Sequence, residues 1–379
     1  MQQTLYRETW AEIDLSAIAH NVREVRGLLP KETELLAVVK ADGYGHGSVE
    51  VAKVALQSGA SGLAVALLEE ALTLREGGIT APILVLGRVA AKDAHVAATH
   101  DITLMFFQKE WIQEVNSYEF DKALNLHMKW DSGFGRLGVR GVEQLQELLT
   151  ELNKNENIHL AGVYTHFATA DEEDISYYKL QSERFKQLQS YFNKYWKEPV
   201  KFHTGNSAAS IRFPEDMQQI SRLGIAMYGL YPSEATKKDT SIKLKPAYSL
   251  HSRLAHVKNV EKDEGIGYGC TYYCEEEEWI GTFPIGYADG WRRSLQGMEV
   301  LVEGKRFPIV GRVCMDQTMV RLDKEYPVGT KVTLIGAQGE EHITADEVAS
   351  YIDTINYEVP CMITGRVPRI YKNRPSSNS

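Results

Sequence analysis

Apolar and polar positions follow two different rhythms along this chain, and the change comes near residue 240. In the first part, short apolar runs recur at 34–40, 61–66, 82–86, 101–107, 124–130, 159–166, 200–205 and 219–223. Segments with helical spacing separate them. Val49, Val51, Val54 and Leu56 mark one, Leu145, Leu148, Leu149 and Leu152 another, and Ile175 to Trp196 is the longest. Strands alternating with helices at this spacing predict parallel βαβ units. Eight in succession predict a closed barrel over about 35–230 rather than an open sheet. Upstream, Trp10 to Asp14 alternates as a short strand. Ser16 is the expected N-cap of a helix whose face is Ile18, Val22, Val25 and Leu28, and Pro30 ends it.

The segment from Gly229 to Pro246 reads as a linker, and beyond it period-two patterning takes over. Tyr248, Leu250, Ser252, Leu254 and His256 alternate; 300–302 and 307–310 flank the turn Glu303-Gly304-Lys305; 331–335 is a further β run. One helix is expected where Thr344 and Glu347 have capping-box spacing. The predicted fold is therefore α/β: an N-terminal (β/α)8 TIM-type barrel over 1–240, then a mostly β C-terminal domain over 241–379, which the strand at 10–14 is free to join. The acidic run Glu275 to Glu278 is expected to be a solvated face, and residues 373–379 a frayed end.

Composition narrows the function. The chain has 379 residues, long for one core, with 43% hydrophobic and 25% charged residues. A net charge of −9 disfavours a nucleic-acid partner. The first ten residues lack an apolar signal core and no apolar segment reaches spanning length, so no membrane partner and a cytoplasmic location are expected. Four cysteines at irregular spacing do not make a disulfide framework. Cys270 and Cys274 have no ligand partners at zinc-finger spacing, so no metal is expected.

The chemistry gathers at strand ends. In such barrels the working residues come from the C-terminal ends of the strands, with phosphate after strands seven and eight. Here those ends are Lys40, Leu86, Lys129, His166, Asn206-Ser207 and Arg222-Leu223-Gly224-Ile225. A strand ending in an amine is costly unless the amine is paired or neutral, as in a Schiff base. With two small-residue loops able to offer N–H groups to an anion, the set fits pyridoxal 5'-phosphate.

At this point a resemblance enters. Ala37-Val38-Val39-Lys40-Ala41-Asp42-Gly43-Tyr44-Gly45-His46-Gly47 resembles the pyridoxal-phosphate attachment motif of bacterial alanine racemases. Lys129 to Gly138, His203 to Ser207, Arg222 to Gly229, Ile266 to Gly269, Pro284 to Gly290 and Cys314 to Gln317 are similar to further family signatures, in the family's order. The resemblance implies interconversion of L-alanine and D-alanine by two bases, with D-alanine supplied to peptidoglycan. It implies that Lys40 carries the cofactor and is one base, and that Tyr268 from a partner subunit is the other, in a homodimer with shared sites. Arg222 would face the pyridine nitrogen. Tyr44, Ser207, Gly224, Ile225 and Tyr357 would hold the phosphate, while His166, Asn206 and Leu86 line the cofactor. Arg136 and the Met315 N–H would hold the substrate carboxylate, Tyr287 would narrow the approach, and Lys129 would be carbamylated and anchor Arg136.

Elementary chemistry bears on these types. Lysine and tyrosine titrate near ~10, so both must be tuned downward to act as bases near neutrality. A guanidinium about 4 Å from a protonated ring nitrogen costs ~4 kcal/mol at an effective dielectric near 20, roughly three pKa units. Arg222 would keep that nitrogen unprotonated and weaken the cofactor as an electron sink, which limits side reactions. For Lys129 the plain alternative is an ion pair with Asp131, and His127 and His203 are expected to be structural. Rival functions are a racemase of serine or another small amino acid, a non-catalytic pyridoxal-phosphate carrier, and an amino-acid decarboxylase. The carrier family lacks the β domain, and the decarboxylase would place a carboxylate where Arg222 stands.

Overall fold

A computed structural model describes residues 6–375. The described residues form two compact units, one comprising residues 17–43 and 48–245, the other residues 6–16, 44–47 and 246–375. The expected features at the extreme N-terminus and over 376–379 lie outside the described residues.

The first unit is the barrel. Its strands are β2 (Glu34–Val38), β3 (Gly62–Val65), β4 (Ile83–Val85), β5 (Ile102–Phe106), β6 (Leu124–Lys129), β7 (Ile158–Tyr164), β8 (Lys201–His203) and β9 (Ile220–Leu223). All neighbours are parallel and β9 closes on β2, with Leu36 opposite Arg222 and Ala37 opposite Leu223. The eight apolar runs are these eight strands. That register brings Lys40, just beyond β2, to the same mouth as the Gly224 loop beyond β9. Pairing of β6 with β7 slips between Leu126 and His127, a local irregularity that re-aims the strand end.

The first helix runs Leu15–Leu28. Its cap is Asp14 rather than the expected Ser16: Asp14 Oδ1 accepts both the Ser16 N–H at 2.9 Å and its hydroxyl at 2.6 Å. The helix starts one turn-position earlier because the carboxylate at the strand end already satisfies those donors.

The second unit holds β1 (Thr9–Asp14) in a seven-stranded sheet. There β1 runs antiparallel to β10 (Tyr248–Arg253) and parallel to Arg369–Lys372. A smaller sheet joins His256–Val260, Glu278–Phe283 and Thr318–Leu322, and a two-stranded hairpin pairs Gly265–Ile266 with Tyr272–Tyr273. Thr344 caps the expected helix by accepting the Glu347 N–H at 3.0 Å. The reciprocal half of the box is absent, because the Glu347 carboxylate binds Arg306 at 2.7 Å instead. The acidic run is not solvated throughout: Glu278 is buried and accepts the Tyr272 hydroxyl at 2.6 Å.

Candidate active site

Lys40 opens a turn of unusual hand. Ala41, Asp42, Gly43 and Tyr44 all have φ between 50° and 62°, so the chain winds as a short left-handed helix. For each non-glycine residue this costs roughly 1–2 kcal/mol, and surrounding contacts must hold it. Glu70 does much of that: its carboxylate accepts the N–H groups of Ala41 at 2.6 Å, Ala66 at 2.8 Å and Leu67 at 3.1 Å. Asp42 adds a bond from the Ser48 N–H at 2.8 Å, and Gly43 N–H reaches the Val39 carbonyl at 2.9 Å. Sequence reasoning missed Glu70, whose place on a surface helix gave no signal.

Beside Lys40, the barrel mouth is crowded with cations. Arg222 is buried and donates to the Thr165 and Thr204 carbonyls at 2.8 and 3.2 Å, to His203 Nδ1 at 2.6 Å and to His166 Nδ1 at 3.3 Å. Among the described residues no carboxylate pairs with it. Burial pulls its pKa down to about 10, which still leaves a guanidinium near neutrality. His166 is held well below its ordinary pKa by burial, then by Arg222, Lys129, Arg136 and Lys40, so it is neutral. Arg222, Lys129, Arg136 and Lys40 thus all act electrostatically on this one imidazole. Arg136 lies over the Phe134 ring at 4.4 Å, and Phe134 meets His166 edge-on at 5.3 Å. Leu86 ends β4 with its N–H on the Val65 carbonyl.

Lys129 is buried and its Nζ has no hydrogen-bond partner. That Nζ sits 4.7 Å from the Tyr164 ring centroid. Burial first, then Arg222 and Arg136, hold its pKa well below that of an ordinary lysine, and Asp131 opposes them. Asp131 is otherwise engaged, accepting the Gly133 and Gly135 N–H groups at 3.0 Å each and lying 3.4 Å from Arg140. The plain Lys129–Asp131 pair is not formed.

At the loop after β8, Asn206 caps the helix Ser207–Arg212 by accepting the Ala209 N–H at 2.9 Å. Ser207 Oγ accepts the N–H groups of Gly224 at 2.9 Å and Ala226 at 3.3 Å. Those bonds clamp the loops after β8 and β9 together and leave the serine hydroxyl proton to donate. With Ile225 next to Gly224, this is a donor set for an anion.

The β unit presents its residues differently. Tyr268 stands at the tip of the hairpin, 68% exposed, without a side-chain hydrogen bond among the described residues. The hairpin's base is fixed, because Ile266 and Cys274 are buried with Val260, Ile280 and Val310. Tyr287 and Met315 are also exposed, at 44% and 52%. Their two loops are stitched by Tyr287 N–H to the Cys314 carbonyl and Ala288 N–H to the Met315 carbonyl, both at 3.0 Å. Gly286 permits this approach: a Cβ there would meet those two carbonyl oxygens at 2.3 and 2.4 Å. Tyr44 and Tyr357 have ring centroids 6.4 Å apart, and burial, then Cys361, raises the Tyr44 phenol. Beside the Tyr268 turn is an open depression lined by Arg293, Gln296 and Arg312, with the Arg312 guanidinium 2.9 Å from where a Gly269 Cβ would be. Neither arginine was singled out from the sequence, where they look like ordinary surface charges.

The comparisons agree with this geometry. Residues 13–232 match the family model for the alanine racemase N-terminal domain, and 247–371 that for the alanine racemase C-terminal domain. The chain is 52% identical to the alanine racemase of Geobacillus stearothermophilus, over 97% of this chain and 94% of that one. It is 50% identical to the alanine racemase of Anoxybacillus flavithermus, over 99% and 97%. Its backbone superposes with a TM-score of 0.96 on the crystal structure of alanine racemase from Bacillus anthracis with bound L-Ala-P, at 50% identity, covering 98% of this chain and 97% of that one. The chain belongs to the alanine racemase family.

Proposed function

We propose that this protein interconverts L-alanine and D-alanine with pyridoxal 5'-phosphate, using Lys40 and the partner subunit's Tyr268 as the two bases, and so supplies D-alanine for peptidoglycan. The observation that carries the reading is Arg222: a buried guanidinium whose partners are imidazoles and carbonyls, with no carboxylate to match it.

The barrel residues fit the cofactor. An amine ends the first strand, a fixed cation sits at the mouth, and the clamped Ser207–Gly224 loops offer donors. Bound there, pyridoxal phosphate supplies an electron sink that acidifies the amino acid's Cα–H. Lys40 would hold it, and its Nζ would take or return the proton on one face. Tyr268 Oη would serve the other face. Arg222 would keep a proton off the ring nitrogen, since a second charge beside a permanent guanidinium is unfavourable. Neutral His166 limits the cation count at the mouth. Leu86 and Asn206 would line the cofactor, and Ser207 Oγ, with Gly224 and Ile225 N–H, would hold the phosphate. The assignment of Tyr44 and Tyr357 to the phosphate rests on the resemblance alone. Arg136 and the Met315 N–H would orient the substrate carboxylate, and Tyr287 would narrow the approach.

Lys129 is proposed to be carbamylated. Burial, Arg222 and Arg136 favour the neutral form of its amine, and in that form it is a nucleophile for carbon dioxide: the N–C bond forms, a proton leaves nitrogen, and the resulting carboxylate would face Arg136 and Arg222. Electron density at Nζ in a crystal map tests this; a bare amine would refute it. A homodimer is proposed because Tyr268 is fixed at its base yet solvent-exposed in the single chain.

Chiral chromatography after incubation with L-alanine or L-serine, with and without cofactor, tests the function. Cofactor-dependent D-alanine in excess of D-serine is expected. Serine as the faster substrate would reassign the enzyme to the serine rival, and no inversion would favour the carrier.

A further inference from the structure

Arg222 poses a physical problem: a charge this deeply buried needs strong acceptors, and none of them here is an anion. The hydrogen-bond directions show how the fold answers it. Arginine can only donate. The 2.6 Å contact from its Nη1 therefore makes His203 Nδ1 an acceptor, and the proton of a neutral His203 must sit on Nε2. His203 Nε2 lies 2.9 Å from His127 Nδ1, so it donates there, and His127 carries its own proton on Nε2. The chain of bonds runs one way, from Arg222 through His203 to His127. Both imidazoles are buried, and both are neutral: burial first, then Arg222, depresses each, His127 to about 3.

A second observation shows that the position of His127 is built. It shares a face of β6 with Lys129, and the β6–β7 register slips at that residue. Across from it stands Gly162 of β7, where a Cβ would come within 2.6–2.8 Å of the imidazole ring. Only glycine leaves this slot open. His203 is further fixed by stacking on Tyr164, with centroids 4.7 Å apart and planes 10° from parallel.

We propose that His127 is a positioning residue for Arg222: by accepting the His203 Nε2–H it locks the tautomer that turns the His203 Nδ1 lone pair to the guanidinium. It would act through His203 rather than on substrate or cofactor. Without it, His203 is free to move its proton to Nδ1, where it would oppose the Arg222 N–H and push the guanidinium from its place. The functional consequence rests on the reading of Arg222 as the partner of the cofactor's ring nitrogen; the relay itself does not.

Neutron diffraction from deuterium-exchanged crystals of the holoenzyme tests the relay. Deuterium on His203 Nε2 and on His127 Nε2, with none on either Nδ1, is expected. Deuterium on His203 Nδ1 would overturn the proposal, whatever reaction the protein performs. Two variants then test the role. His127→Leu, which removes the acceptor, should lower kcat about tenfold with KM within twofold, and should shift the pH profile of the bound cofactor's absorbance. His127→Gln, which keeps an acceptor oxygen, should restore both to within twofold of wild type. Equal loss in the two variants, or an unshifted absorbance profile in the leucine variant, would mean that the histidine only fills space. Should the leucine variant not fold, Gly162→Ala provides the same displacement from the opposite strand, and its absorbance profile decides in the same way. Failure to bind pyridoxal phosphate at all would sink the functional reading and leave the neutron result standing.

Discussion

The barrel mouth and the Tyr268 hairpin both carry residues assigned to one reaction, yet they are built by opposite rules. At the mouth, Lys129, Arg222, His127 and His203 are buried, and directed bonds join Arg222, His203 and His127 while Lys129 Nζ has no hydrogen-bond partner. In the β unit, Tyr268, Tyr287 and Met315 are exposed on loops whose backbones are held by hydrogen bonds. Low dielectric and rigid neighbours suit groups that must hold charge in one place. On the proposed reading, a base that serves a site on another chain has to be offered outward. The proposed reading thus divides the labour: the barrel sets the electrostatics, and the β unit of a partner supplies the second base.

Removing either side should fail differently. Lys40→Ala takes away attachment as well as a base, so racemisation should fall at least ~10⁴-fold and the lysine-dependent cofactor absorbance should vanish. A surviving band would place the attachment elsewhere. Tyr268→Phe should cost about 10²–10⁴-fold while that band persists, with solvent deuterium exchange lost chiefly for one enantiomer. Mixing the two inactive variants sharpens the comparison further. If sites are shared between chains, half the random dimers regain one intact site, so about a quarter of wild-type activity should return. No recovery would put Lys40 and Tyr268 in the same chain's site.

Smaller effects probe the mouth alone. Glu70→Ala releases the Ala41 N–H and should lower stability by about 1–2 kcal/mol in chemical denaturation, with a rise in KM for the cofactor. An unchanged midpoint would mean the left-handed turn is held by other contacts. Acid should also act on the barrel. His127 and His203 have folded pKa values below the unfolded value near 6.5, so only the unfolded chain takes up their protons as pH falls. Stability is thus full above about 6.5 and declines below it, toward about 3 for His127, by about 1.4 kcal/mol per pH unit for each histidine. His127→Gln should remove one such share of the slope.

Much of this was legible in the residues. The eight apolar runs became eight strands because a strand buried on both faces reads as a continuous hydrophobic stretch. Strand ends pointed to Lys40, His166 and Arg222 because the barrel's geometry decides where chemistry can sit. The histidine relay was not legible as such. His127 and His203 lie far apart in sequence, and only the closed barrel reveals that one accepts from the other. A clue did exist: His127 alternates onto the face of Lys129, and Gly162, Tyr164 and His166 alternate in the same way on the next strand. Asp14 displaced Ser16 as a cap because two adjacent capping residues compete and sequence does not rank them. Glu278 was hidden in an acidic run, where pattern speaks for solvent and a tyrosine decided otherwise.

The left-handed turn after Lys40 also bears on the order in which the molecule is assembled. Four successive residues, of which only Gly43 is glycine, hold a conformation that an unfolded chain visits seldom at Ala41, Asp42 and Tyr44. At roughly 1–2 kcal/mol each, the penalty for the three is about 3–6 kcal/mol, so the turn cannot nucleate anything. It closes only once Glu70 and Ser48 are in place to receive it, which makes it a late event in folding. Lys40, which opens the turn, would therefore be among the last groups to find its position, and a half-folded chain would have the amine without the surroundings proposed to make it reactive.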